Sequence, residues 1–139
     1  MSKETTGQEG ADILKHRLQT ERFAIISAER SNLSPAENLI RTRQLRKAII
    51  SYEHNEAEGI YGNLEASFLI WGITELSSIA LAHQFDQESV LTRKALVYTS
   101  GKVELTDLDN IVFDQNLKDY YTKVIINGEE IKFFIPLKS

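Results

Sequence analysis

The chain has 139 residues, enough for one domain with a real core, and its 42% hydrophobic and 26% charged residues suit a soluble globular protein. A formal net charge of −4 excludes a general nucleic-acid binder by charge, and the absence of cysteine excludes disulfides, thiolate catalysis and Cys-ligated metal. No apolar run is long enough to span a bilayer, and the expected location is the cytoplasm.

The first ten residues, MSKETTGQEG, hold no apolar run of the kind a signal peptide needs and read as a disordered lead-in, with a single domain over residues 11–139. Residues 11–19 carry Ile13, Leu14 and Leu18 at helical spacing and predict a short amphipathic helix. Residues 22–28 predict a buried strand: Phe23, Ile25 and Ile26 favour the extended chain, and Ala24 and Ala28 allow close packing. A polar loop follows. Ser34 then predicts a helix start, with Pro35 at the first helical position and Glu37 closing a capping box, and Leu39, Leu45, Ala48 and Ile49 carry the helix to about Ser51.

Residues 52–61 are polar and acidic, with a short strand expected to end at Gly59. Residues 64–71 (LEASFLIW) read as a buried strand ended by Gly72, with Phe68 and Trp71 in the core. Thr74 caps a second main helix, TELSSIALAHQF, and residues 88–93 and 95–99 read as strands. Gly101 marks a turn, and residues 110–113 read as a short strand. Residues 121–126 and 129–135 flank Asn127-Gly128, the strongest local signal for a hairpin, with Pro136 near the end of an edge strand. The fold class expected is α/β (α+β): one domain, a mixed sheet, two main helices and a C-terminal β-hairpin.

Strand end, polar loop and helix N-terminus meet at residues 27–38. This is where open α/β sheets bind ligands and where helix ends attract anions. Ser27, Glu29, Arg30 and Asn38 are the candidates there. Arg41 opens the basic stretch RTRQLRK; it is either part of a solvated helix face or a phosphate ligand. In GIYGNLEASF, Gly59 and Gly62 permit a tight turn or close backbone approach, and Tyr61 could stack on a planar ligand or cover the core edge. Glu65 enters an apolar strand, where a carboxylate is costly unless paired. Pairing with Arg30 or Arg41 is one reading, and a ligand contact or acid–base role is the other. Gln87 follows the second helix and can bond a ligand or cap the junction. The three histidines are dispersed and no metal site or cofactor is expected; neither a GxSxG elbow nor a P-loop is present.

The pieces Phe23–Ala28 with Arg30, Glu37-Asn38 with Arg41, Gly59–Tyr61 with Glu65–Phe68, and Gln87–Val90 together resemble a domain of unknown function found in bacteria and tailed phages. The resemblance covers residues 20–92. It implies a small α/β domain with no assigned activity, and its phage distribution implies an accessory role against host defence. The leading expectation is a binding module for a nucleotide-like or phosphate-bearing ligand, sequestering a nucleotide immune signal, with Ser27, Glu29, Arg30, Asn38, Arg41, Tyr61, Glu65 and Gln87 around it. The alternatives are a hydrolase or transferase using Glu65 or Glu29, and an inhibitor of a host protein. The partner expected is a small polar ligand, without general nucleic-acid or membrane binding, and homo-oligomers are left open.

Overall fold

The structure, a computed structural model, describes residues 7–61 and 63–138, without the side chains of residues 7, 8, 60, 61 and 63. In chain order the elements are α1 (Gly7–Thr20), β1 (Phe23–Ser27), α2 (Pro35–Ala48), β2 (His54–Tyr61), β3 (Asn63–Trp71) and α3 (Glu75–Gln84). They continue as β4 (Ser89–Thr92), β5 (Ala95–Tyr98), β6 (Val103–Leu105), a 3-10 turn at Leu108–Asn110, β7 (Val112–Phe113), β8 (Tyr120–Ile126) and β9 (Glu129–Phe134). The expected lead-in thus divides: residues 1–6 lie outside the described residues, and α1 already runs from Gly7.

Local signals translate directly into structure. The Ser34 hydroxyl accepts from the Glu37 amide at 3.1 Å, and the Glu37 carboxylate accepts from the Ser34 amide at 3.0 Å, which completes the capping box of α2. Asn127 and Gly128 have φ of 52° and 82°, the left-handed pair that turns β8 into β9. The alternation of β1 sends Ala24, Ile26 and Ala28 to one face and Phe23, Ile25 and Ser27 to the other.

The sheet has nine strands in the order β6-β5-β4-β1-β3-β2-β8-β9-β7. Every strand pairing is antiparallel, where a mixed sheet was expected. Short connections such as β4–β5 and β8–β9 can only reverse the chain, whereas parallel pairing needs a long crossover. Among the described residues the α-helices number three, because α1 is as long as α2. The sheet also curls on itself. The tail after β9 meets the chain after β6 through a Thr106–Leu137 bridge, with the Lys138 amide on the Leu105 carbonyl and the Asp107 amide on the Pro136 carbonyl, both 2.8 Å.

Curling gives the sheet an outer and an inner face. On the outer face α2 and α3 cover Ile26, Phe68, Ile70, Val90 and Val97 through Leu45, Ile49, Ala82 and Phe85. On the inner face α1 inserts Ala11, Leu14 and Leu18 against Phe23, Leu69, Trp71, Val124, Ile131 and Phe133. Phe68 and Trp71 are therefore both core residues, on opposite faces. The Arg17 guanidinium lies 3.9 Å from the centre of the Trp71 ring and bonds Glu21 and Glu53, which fastens α1 over this end of the inner face. No helix among the described residues is long and apolar enough to cross a membrane.

Candidate functional site

At the other end of the inner face the strands enclose a half-open cavity of about 390 Å³. This lies within the ~300–1,000 Å³ typical of small-molecule sites. Strand register explains its lining. Ser27 pairs with Ser67; in the next row Glu65 pairs with Gly59, which in turn pairs with Thr122. Residues directly opposite in a sheet share a face, so Ser27, Ser67, Glu65 and Thr122 look into one space. Ser89 and Gln87 complete the polar side. Ile25, Leu91, Leu96, Ile135 and Leu137 form the apolar wall. Gly59 is a buried strand residue here, where a strand ending was expected. Lacking a side chain between Glu65 and Thr122, it leaves the cavity open.

Glu65 dominates the electrostatics. Burial pushes its carboxyl above the ordinary carboxylate value, a hydrogen bond with Ser27 works against that rise, and the Glu29 charge adds to it. Among the described residues no Lys or Arg forms an ion pair with Glu65. The two arginines considered as its partners point elsewhere. Arg41 donates from Nε to the Ala28 carbonyl at 2.7 Å and from its terminal nitrogen to the Phe85 carbonyl. Arg30 donates to the Asp86 carbonyl. Both guanidiniums tie the loop after β1 to the end of α3.

The remaining candidates divide in the same way. Asn38 accepts from the Arg30 amide at 2.9 Å and donates to the Arg30 carbonyl at 3.0 Å, so it folds the loop back on α2. Glu29 lies just past β1: its amide donates to Ser27 Oγ at 3.0 Å and its carboxylate accepts from the Ala66 amide at 2.7 Å. Gln87 donates to the Glu29 carbonyl at 3.1 Å and lines the cavity. Tyr61 ends β2, and its side chain lies outside the described residues. The structure therefore brings Ser27, Glu65 and Gln87 onto one cavity with Glu29 beside it, and leaves Arg30, Asn38 and Arg41 as its outer brace. Ser89 and Thr122 also line the cavity and were not among the candidates. Their signal was a small hydroxyl residue at the inward phase of an apolar strand, visible only once the register is known.

The arrangement offers one half-buried carboxyl without a counter-ion among the described residues, a set of neutral hydrogen-bonding groups and an apolar wall. It suits a ligand that carries its own positive charge on a partly apolar body. No match to a curated protein was found. Residues 24–129 match the S-Adenosylmethionine lyase family. The match takes in the C-terminal strands through Glu129, beyond the segment on which the likeness to an uncharacterised family rested. With most of its length matched, this chain belongs to the S-adenosylmethionine lyase family.

Proposed function

We propose that the protein binds S-adenosylmethionine in the inner-face cavity and cleaves it there as a lyase. The observation that carries this reading is Glu65: a half-buried carboxyl with no cationic partner among the described residues, in a cavity otherwise neutral and apolar. S-adenosylmethionine has a sulfonium and an ammonium, so it supplies the missing counter-charge. It is nucleoside-derived and carries no phosphate, which agrees with Arg30 and Arg41 both being engaged by backbone carbonyls.

A lyase breaks a bond without adding water, leaving a ring or a double bond. When a C–S bond of a sulfonium breaks, the positive charge on sulfur disappears and a neutral thioether departs. A wall of Ile25, Leu91, Leu96, Ile135 and Leu137 around the sulfur favours that loss of charge, because it solvates the cation poorly. Glu65 would pair with the ammonium or the sulfonium, or accept a proton if the step is an elimination; its raised proton affinity suits it to the second task. Ser27, Ser67, Gln87, Ser89 and Thr122 would meet the polar edges of the nucleoside. In a cell, removal of this methyl donor would weaken any host response that depends on methyl transfer, which is the form the counter-defence expectation now takes.

The test is incubation of the purified protein with S-adenosylmethionine, followed by mass spectrometry. Products whose masses sum to that of the substrate, with no label taken up from heavy-oxygen water, are the expected result. Label in a product would make the protein a hydrolase. Tight binding without product would make it a sequestering protein.

A further inference from the structure

Two polar groups of the cavity, Ser27 and Gln87, and the backbone between Glu65 and Ser67 stand on one residue that does not itself line it. The Glu29 amide is bonded to Ser27 Oγ, its carboxylate to the Ala66 amide between Glu65 and Ser67, and its carbonyl to the Gln87 side chain. Glu29 follows β1 where that strand stops pairing with β3 at Ser27–Ser67. There the Ala66 amide has lost the backbone acceptor that a longer β1 would provide, and the Glu29 carboxylate takes its place. The contacts come from three separate parts of the chain, and the arginine brace holds the same loop from outside through Ala28, Phe85 and Asp86.

We propose that Glu29 is the positioning residue of this site: its amide, carbonyl and carboxylate set Ser27, Gln87 and the Glu65–Ser67 segment in one arrangement. The proposal rests on the lyase reading for what the arrangement is for, and on the hydrogen bonds alone for the arrangement itself. It assigns Glu29 no contact with the reacting atoms, since Glu29 is not among the residues that line the cavity. A second consequence is electrostatic. Among the described residues Glu29 is the charged group that acts on Glu65. The other faces around Glu65 present Ser27 from β1, Gly59 from β2, Thr122 from β8 and Gln87 from the loop before β4, all uncharged.

Glu29→Ala and Glu29→Gln separate the two consequences. Glu29→Ala removes the acceptor and should speed hydrogen exchange at the Ala66 amide. It should also lower kcat by up to about 100-fold, the scale of a small misplacement of reacting groups, with KM changed far less. Glu29→Gln keeps an acceptor oxygen at the same reach. It should restore Ala66 protection and regain most of the lost kcat, while the midpoint of Glu65, followed by carbon-detected NMR, moves down because the neighbouring charge is gone. Unchanged Ala66 exchange and an unmoved Glu65 midpoint in Glu29→Ala would overturn the proposal. So would Glu29→Gln that is as inactive as Glu65→Gln while Ala66 stays protected, because Glu29 would then be a reacting group. Both NMR readouts need no substrate. A wild-type protein that leaves S-adenosylmethionine intact would therefore sink the lyase reading, while the amide exchange and the titration still decide the role of Glu29.

Discussion

The two faces of the same central strands do opposite work. On the outer face β1 and β3 present Ala24, Ile26, Phe68 and Ile70, all closed under α2 and α3. On the inner face the same strands begin in the same apolar manner, with Phe23, Ile25, Leu69 and Trp71, and then turn polar at Ser27, Ser67 and Glu65. The outer face is core from Ala24 to Phe68 and Ile70 and becomes exposed only at Leu64, whereas the inner face is core at the α1 end and cavity at the far end. A strand of alternating side chains can thus stabilise through one face and bind through the other, so that stability and activity respond to different substitutions only one residue apart.

The largest expected effect breaks the outer face. Phe68→Ala empties a side chain that is only 2% exposed and should lower unfolding stability by about 3–5 kcal/mol, read by urea denaturation. Activity should survive in whatever fraction stays folded. Next, Glu65→Gln should cut turnover of S-adenosylmethionine by about 100- to 1,000-fold, the scale for loss of a positioned acid–base or electrostatic group. The same substitution sharpens the contrast through its pH dependence. Because the folded state holds Glu65 above its ordinary value, folding favours the protonated form, and the ionised form costs stability at neutral pH. That cost is fully present above the raised value, fades as pH falls through it, and is gone below the unfolded value of about 4.3. Glu65→Gln should therefore raise the melting temperature at pH 7 and lose that advantage in acid, in a thermal scan series over pH.

Smaller effects test the brace and the cap. Arg41→Ala removes donors to the Ala28 and Phe85 carbonyls and should cost about 2 kcal/mol, the scale of a hydrogen bond to a charged group. It should also weaken ligand binding, measured by calorimetry, because the loop that carries Glu29 loosens; unaltered affinity would detach that loop from the site. Ser34→Ala, at the exposed start of α2, should cost only about 1 kcal/mol and leave turnover unchanged.

Much of this could be read locally. The capping box of α2 and the Asn127-Gly128 turn depend on residues within one turn of each other, and both stand as their residue types require. The strands around Phe23, Phe68 and Tyr121 were legible for the same reason, because their apolar and β-branched content is a property of short segments. Arg30 and Arg41 show where local reading stops. A cation beside a helix start looks like a phosphate ligand until the fold shows carbonyls of β1's end and α3's end within its reach. Strand β6 was not recognised at all, since three residues (Val103–Leu105) carry too little pattern outside their pairing with β5.

The sequence by itself determined where α2, α3 and the Asn127-Gly128 turn begin, and that Glu65 was a carboxylate in an otherwise apolar strand, with Ser27 at a strand end and Gln87 at a helix end as polar candidates. Only the tertiary structure decided that these three face one cavity with Ser89 and Thr122, that the sheet is antiparallel and curls on itself, and that Arg41 braces a loop. The physical reason is register. Hydrogen bonds between strands far apart in the chain fix which residue lies opposite which, and a shift of one position would turn Glu65 from the cavity to the outer face.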